Sequence, residues 1–160
     1  MGLLLKIKGH FIAPFNFVKM EINQVSQNTF SSAIKLLKEN NLPTEDISEL
    51  TKLFAAIIDN EVAGTVGIEF YKDVALLRSL AVREDYRTKG LGRQMVDYIE
   101  TFAKQNGATE LILLTTTAAD YFSKRAYITI ERNNVPEEIK KSSEFSSTCP
   151  SSAVVMKKVL

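Results

Sequence analysis

The stretch Leu76-Leu77-Arg78-Ser79-Leu80-Ala81-Val82-Arg83-Glu84-Asp85-Tyr86-Arg87-Thr88-Lys89-Gly90-Leu91-Gly92-Arg93 constrains this chain more than any other. An apolar run stops at Arg83, a charged turn follows, and two glycines open a segment of helical periodicity. That is strand, tight loop, helix. The first amides of a helix have no partner inside it and sit at the positive end of its dipole. A loop light in side chains at that point binds phosphate-like anions. The dinucleotide fingerprint lacks its third glycine here, because Met95 occupies that place, and Gly-x4-Gly-Lys-Ser/Thr is absent. Taken alone, the two glycines are equally read as a tight turn.

Composition narrows the partners. With 160 residues, 45% apolar and 24% charged, the chain suits one soluble α/β domain with a real core. A net charge of +1 gives no reason to expect nucleic acid. The pairs Lys6/Lys8, Lys140/Lys141 and Lys157/Lys158 read as solvated surface. One cysteine, Cys149, allows no internal disulfide and fits a cytoplasmic location. Cys149 reads as a buried or incidental thiol, since no activating histidine is visible. One histidine, His10, gives poor support to a His-based triad or metal site, so no metal is expected. No apolar run reaches about 18 residues, so no membrane helix is expected. Residues 1–19 read as a partly disordered upstream extension, of the kind a misplaced start codon produces. The domain then covers 20–160.

Taken in order, 20–27 is a candidate edge strand, and Asn28 or Thr29 can cap the next helix. Phe30, Ala33, Ile34 and Leu37 fall on one face of that helix, which ends near Asn40–Asn41, before Pro43. Residues 44–47 read as a short helical turn. Residues 53–58 and 62–71 form a hairpin, and Gly64 and Gly67 signal a bulge or a close backbone neighbour. Residues 74–82 are apolar on both faces except at Arg78 and Ser79, the pattern of a central strand. The helix from Leu91 buries Met95, Val96, Ile99, Phe102 and Ala103 and stops at Gly107. Residues 110–114 form a strand parallel to 74–82. A short helix over 118–125, a strand at 127–130, a helical turn at 136–141, a loop at 142–150 and a strand at 153–159 complete the order. The prediction is a mixed sheet of about seven strands with helices on both faces.

Arg87-Thr88-Lys89-Gly90-Leu91-Gly92 resembles the Arg/Gln-x-x-Gly-x-Gly/Ala signature of the GNAT superfamily of N-acetyltransferases, and the order of elements around it agrees. The resemblance runs from about Met20 to Leu160 and implies acetyl-CoA as donor. It places the pyrophosphate on the loop formed by Arg87, Thr88, Lys89, Gly90, Leu91, Gly92 and Arg93. It sets the pantetheine along Leu80, Ala81 and Val82, and the thioester where strands 74–82 and 110–114 splay apart, near Thr117 and Phe122. Further blocks are similar to the N-acetyltransferases of bacterial arsenic-resistance operons and to the acetyltransferase domain of N-acetylglutamate synthases. They are 75–82, Leu113-Leu114-Thr115-Thr116-Thr117-Ala118, Val135-Pro136, Glu144-Phe145 and Cys149-Pro150-x-Ser152-Ala153. Phe122 stands where many superfamily members carry the tyrosine that protonates the leaving thiolate, and Tyr121 points about 100° away on a helix.

The residues suggest an acceptor side. Arg78 can hold a substrate carboxylate in a bidentate contact, or pair with Glu69 on the neighbouring strand. Ser79 and Thr115 border the cleft as substrate contacts. Glu69, Ser79 and Thr116 are candidates for proton transfer, and Thr115–Thr117 serve equally as caps of the helix that follows. An amide near Leu80 can meet the oxyanion. The expected activity is N-acetylation of a small-molecule amine, an amino acid or an analogue of one, by a monomer or homodimer. A non-catalytic acyl-CoA sensor and a protein N-acetyltransferase are the alternatives.

Overall fold

A computed structural model describes residues 5–7, 10–12, 19–148 and 150–160. The sheet is mixed. Strands β3 (Met20–Gln24), β4 (Lys52–Ile58), β5 (Glu61–Tyr71) and β6 (Val74–Val82) form an antiparallel meander. Then β7 (Glu110–Thr115) pairs with β6 in parallel, and β9 (Val154–Val159) lies between β7 and the edge strand β8 (Ile128–Ile130). These seven strands match the expected sheet. Two more, β1 (Leu5–Ile7) and β2 (His10–Ile12), add a hairpin outside β3, within the stretch expected to be an extension.

Helix α1 (Gln27–Glu39) covers one face and α2 (Leu91–Gln105) the other. Leu36 and Leu37 of α1 pack with Leu53 and Ala81. Met95, Val96 and Ile99 of α2 pack with Phe54, Ile68 and Leu77. Ser26, not Asn28 or Thr29, caps α1, and its amide donates to Thr29 Oγ1 at 2.9 Å. Phe30 is exposed rather than packed, because the buried stripe of α1 is Ala33, Leu36 and Leu37. Residues 44–47 make a turn and no helix. The short helices α3 (Ala119–Ser123) and α4 (Glu137–Lys140) follow β7 and β8. Where a loop was expected, Glu144–Thr148 forms a π-helical turn. Cys149 lies outside the described residues.

Gly64 answers to a close approach. A Cβ built there would lie 2.6 Å from Sδ of Met95, so the bare backbone lets α2 settle on the sheet. Gly67 answers to a bulge, since Thr65 pairs with Ala81 while Gly67 pairs with Arg78. The extra residue on β6 includes Ser79, with φ of 56°. The bulge reverses the alternation of β6. Before it Ala75 and Leu77 meet the α2 cluster, and after it Leu80 and Val82 do.

Candidate active site

The site lies where β6 and β7 part. Their parallel register runs only from Val74 with Glu110 to Leu76 with Ile112. Beyond it β6 bends through the Ser79 bulge, and β7 stays with β9 through Thr115 paired to Val154. The wedge opens into a cavity of about 390 Å³. Leu77, Ser79 and Leu80 border it from β6, Leu113 and Thr115 from β7, and Phe122 from α3. Thr116 and Thr117 stand exposed at its mouth. Thr65 Oγ1 donates to the carbonyl of Ser79 at 2.9 Å and holds the left-handed turn in place. A bulge interrupts a strand's ladder, so amides near Leu80 can turn toward a ligand.

The loop at the end of β6 leads through a tight turn into the open start of α2. Glu84–Tyr86 make one tight turn, Thr88 and Gly90 have φ of 67° and 81°, and α2 starts at Leu91. No atom lies within 4 Å of a Cβ built on Gly90, and Gly92 looks toward Val82 and Tyr121 Oη, each 3.6 Å from its built Cβ. Arg87, Thr88, Lys89 and Gly90 are exposed around the open helix start, as is Arg93 in its first turn. The Arg87 side chain folds back, donating to the Val82 carbonyl at 3.1 Å and to Asn40 Oδ1 at 2.7 Å. Its guanidinium braces α1 against the loop, and the loop's backbone is left clear.

Six polar or charged residues are buried among those described: Thr65, Glu69, Arg78, Ser79, Ser142 and Glu144. Their centre is Arg78, whose side chain is 1% exposed. Its Nη1 and Nη2 donate to the two oxygens of Asp46 at 2.8 and 2.7 Å, and Nη1 also reaches Glu69 Oε2 at 2.9 Å. Nε lies 3.0 Å from Glu144 Oε2 and 3.2 Å from Ser79 Oγ. Burial disfavours the cation, yet these carboxylates outweigh it and hold the guanidinium above its ordinary range. Burial would raise the Asp46 carboxyl, but the Arg78 hydrogen bonds and charge keep it below its ordinary value. Tyr71 is pushed up by burial first and then by Glu69, to whose Oε1 it donates at 2.6 Å.

This geometry bears on two expectations. Arg78 lines the cavity, but its guanidinium is already paired with three carboxylates, which disfavours a fourth from a substrate. Its pairing with Glu69, the alternative reading, is present together with Asp46 and Glu144. Glu69 does not border the cavity. Its oxygens accept from Thr51, Tyr71 and Arg78, which leaves it poorly placed as a base. Thr115 Oγ1 accepts from the Ala118 amide at 2.9 Å, the capping role. Phe122 is buried yet reaches the cavity wall. Asp46 and Glu144 escaped the reading as site residues. Glu144 belongs to the Glu144-Phe145 pair that carries part of the resemblance, and nothing marks Asp46, since their meeting at Arg78 is a matter of tertiary packing.

The sheet splayed between β6 and β7, with an exposed loop before α2, defines a class, and residues 22–128 match the model of the Acetyltransferase (GNAT) family. The chain belongs to that family. It is 34% identical over 94 residues to an uncharacterized N-acetyltransferase of Chlorobaculum tepidum, a match covering 58% of this chain and 60% of that one. It is 33% identical over 61 residues to the amino-acid acetyltransferase of Escherichia coli K12, covering 38% of this chain and 14% of the relative. Among solved structures, N-acetylglutamate synthase from Neisseria gonorrhoeae, complexed with coenzyme A and N-acetyl-glutamate, superposes with a TM-score of 0.75 at 20% identity. That match covers 92% of this chain and 36% of that one. Rv2747 from Mycobacterium tuberculosis, in complex with CoA and NLQ, gives 0.71 at 16% identity, over 87% of this chain and 98% of that one. At these identities the superpositions establish the fold. Among the described residues no helix is long and apolar enough to cross a membrane, and no group of three His, Cys, Asp or Glu could hold a metal ion.

Proposed function

We propose that this chain transfers the acetyl group of acetyl-CoA to the amine of a small molecule, by direct attack while both substrates are bound. One observation carries the reading: the β6–β7 wedge and the loop 87–92 open at the same end of β6. The loop fits a pyrophosphate, because its backbone is exposed at a helix start and cations surround it. The wedge cavity fits an acyl thioester beside an acceptor. The residues that would hold the donor are Arg87, Thr88, Lys89, Gly90, Leu91, Gly92 and Arg93 at the pyrophosphate, and Leu80, Ala81 and Val82 along the pantetheine. Thr117 and Phe122 would lie near the acyl end.

The chain's own part is largely placement. Fixing an amine against a thioester converts an encounter into a unimolecular step, which supplies much of the rate. The Ser79 bulge aims backbone dipoles at the carbonyl oxygen, where charge grows. Relatives named for amino acids support an amino acid or an analogue as acceptor, and the likeness to arsenic-resistance acetyltransferases adds arsenical analogues to the candidates. Calorimetry with acetyl-CoA tests the donor half, and a folded protein that shows no binding overturns the proposal. A free-thiol assay with amino acids and arsenical analogues tests the acceptor half.

A second reading, an acyl-CoA sensor without turnover, is favoured by Phe122. A buried phenyl ring stands where a thiolate-protonating tyrosine is common in the superfamily. It predicts donor binding with no CoA release for any amine.

A further inference from the structure

The acetyl-transfer reading leaves open what receives the acceptor's charge, and the following rests on that reading. Two charged side chains, Arg78 and Glu144, border the cavity. The guanidinium is 1% exposed, and Asp46 and Glu69 engage it away from the cavity lining. Glu144 is the one carboxylate of the three that reaches the lining, next to Ser79. One guanidinium meets three carboxylates here, so acidic side chains outnumber the basic one around the cavity's charged edge. Buried charge of one sign is costly, and a bound cation reduces that cost, whereas a bound carboxylate adds to it.

We propose that Glu144 receives the ammonium group of the acceptor and takes its proton, with Arg78 as the positioning residue that fixes the carboxylate. The segment carrying Glu144 is itself braced. Ser142 Oγ donates to the Ile139 carbonyl at 2.6 Å and accepts from the Phe145 amide at 3.2 Å. Ser143 Oγ donates to Asp46 Oδ2 at 3.1 Å, and Arg132 stacks on the Phe145 ring. A carboxylate so held costs little reorganisation when a substrate arrives.

The balance is simple. The ammonium gives one proton to Glu144. The free amine's lone pair forms the new C–N bond as the thioester C–S bond breaks, and the sulfur leaves with the electron pair. The nitrogen's second surplus proton goes to that thiolate. Glu144 then returns its proton to solvent, so the turnover yields amide, CoA thiol and one proton.

The test compares wild type with Glu144→Gln and Glu144→Asp, using ethanolamine, 1,4-diaminobutane and glutamate as acceptors. Removing one of three carboxylates leaves Arg78 paired, so both variants fold, as circular dichroism will verify. Acetyl-CoA binding by calorimetry stays within about twofold. Near pH 7, Glu144→Gln loses about 100-fold in kcat, and Glu144→Asp, which keeps the charge, loses less. Toward pH 9 the Glu144→Gln deficit shrinks, because the amine deprotonates unaided. The charged and titratable groups around Glu144 are Arg78 and Tyr71, which it acts on directly, and Asp46 and Glu69, which share the Arg78 guanidinium with it. Independently of turnover, calorimetry of 1,4-diaminobutane on the CoA complex shows about tenfold weaker binding to Glu144→Gln. An equal deficit at every pH, or a loss below about threefold, overturns the role. Acetyl-CoA binding by the wild type without CoA release for any of these amines overturns the ammonium site. Failure to bind acetyl-CoA at all defeats the acetyl-transfer reading instead.

Discussion

Both oxygens of Asp46 are taken by the two terminal nitrogens of Arg78, at 2.8 and 2.7 Å, although 32 residues separate them in sequence. That fork ties the loop after α1 to the bulged strand beneath the cavity. Replacing Arg78 with methionine leaves three carboxylates buried without their cation. The expected loss is about 3–5 kcal/mol, read from urea unfolding. A loss under about 1 kcal/mol would show that the cluster relaxes into water.

Asp46 gives the cluster a pH dependence. Its carboxyl titrates lower in the folded chain than in the unfolded one, so the unfolded state binds more protons on the way down. The stabilisation is complete above the unfolded value, about 3.9, and disappears as pH falls through the lowered folded value. Asp46→Asn should therefore be less stable than wild type at pH 7, by about 1–3 kcal/mol. Stability curves taken between about pH 7 and pH 2 should converge at the acid end.

Gly90 isolates backbone conformation from packing. Its φ is 81° and a methyl group there would touch nothing. Gly90→Ala should cost about 1–2 kcal/mol through strain alone. If the loop carries the donor's phosphates, the same change weakens acetyl-CoA in calorimetry. Unchanged affinity would move the phosphate site off this loop.

Gly64 tests the fit of α2 on the sheet. A side chain there meets Sδ of Met95 at 2.6 Å and the Ala81 carbonyl at 3.1 Å. Gly64→Ala should cost about 1–3 kcal/mol. Adding Met95→Ala should not double the loss, because the second change makes room for the first. Thermal midpoints of the two single variants and the double variant decide this.

Much of the architecture was legible because local chemistry agrees with it. The Arg87-led spacing, the hairpin of 53–58 and 62–71 and the apolar stripe through Met95 and Ile99 each fix an element by themselves. The charged cluster around Arg78 was legible only in its pairing with Glu69. Asp46 and Glu144 lie on separate segments, and only packing brings them to Arg78. The left-handed turn at Ser79 carries no glycine to announce it. It is forced by pairing with β5, where Gly67 leaves room for Arg78 and Ser79. The position of β9 between β7 and β8 likewise depends on strand order, which periodicity does not encode.

The short parallel contact between β6 and β7 has a consequence for how the sheet breathes. Three residue pairs join them, while the antiparallel pairs on either side, β5 with β6 and β7 with β9, run over most of their length. β5 and β6 close through a short turn, but this junction waits on the whole α2 crossover. The chain thus consists of two separately knit halves sewn along a thin seam. Amide exchange should start along that seam, with the β3–β5 ladder the last to yield. The cavity sits at a place inside the sheet that can widen without tearing a long ladder.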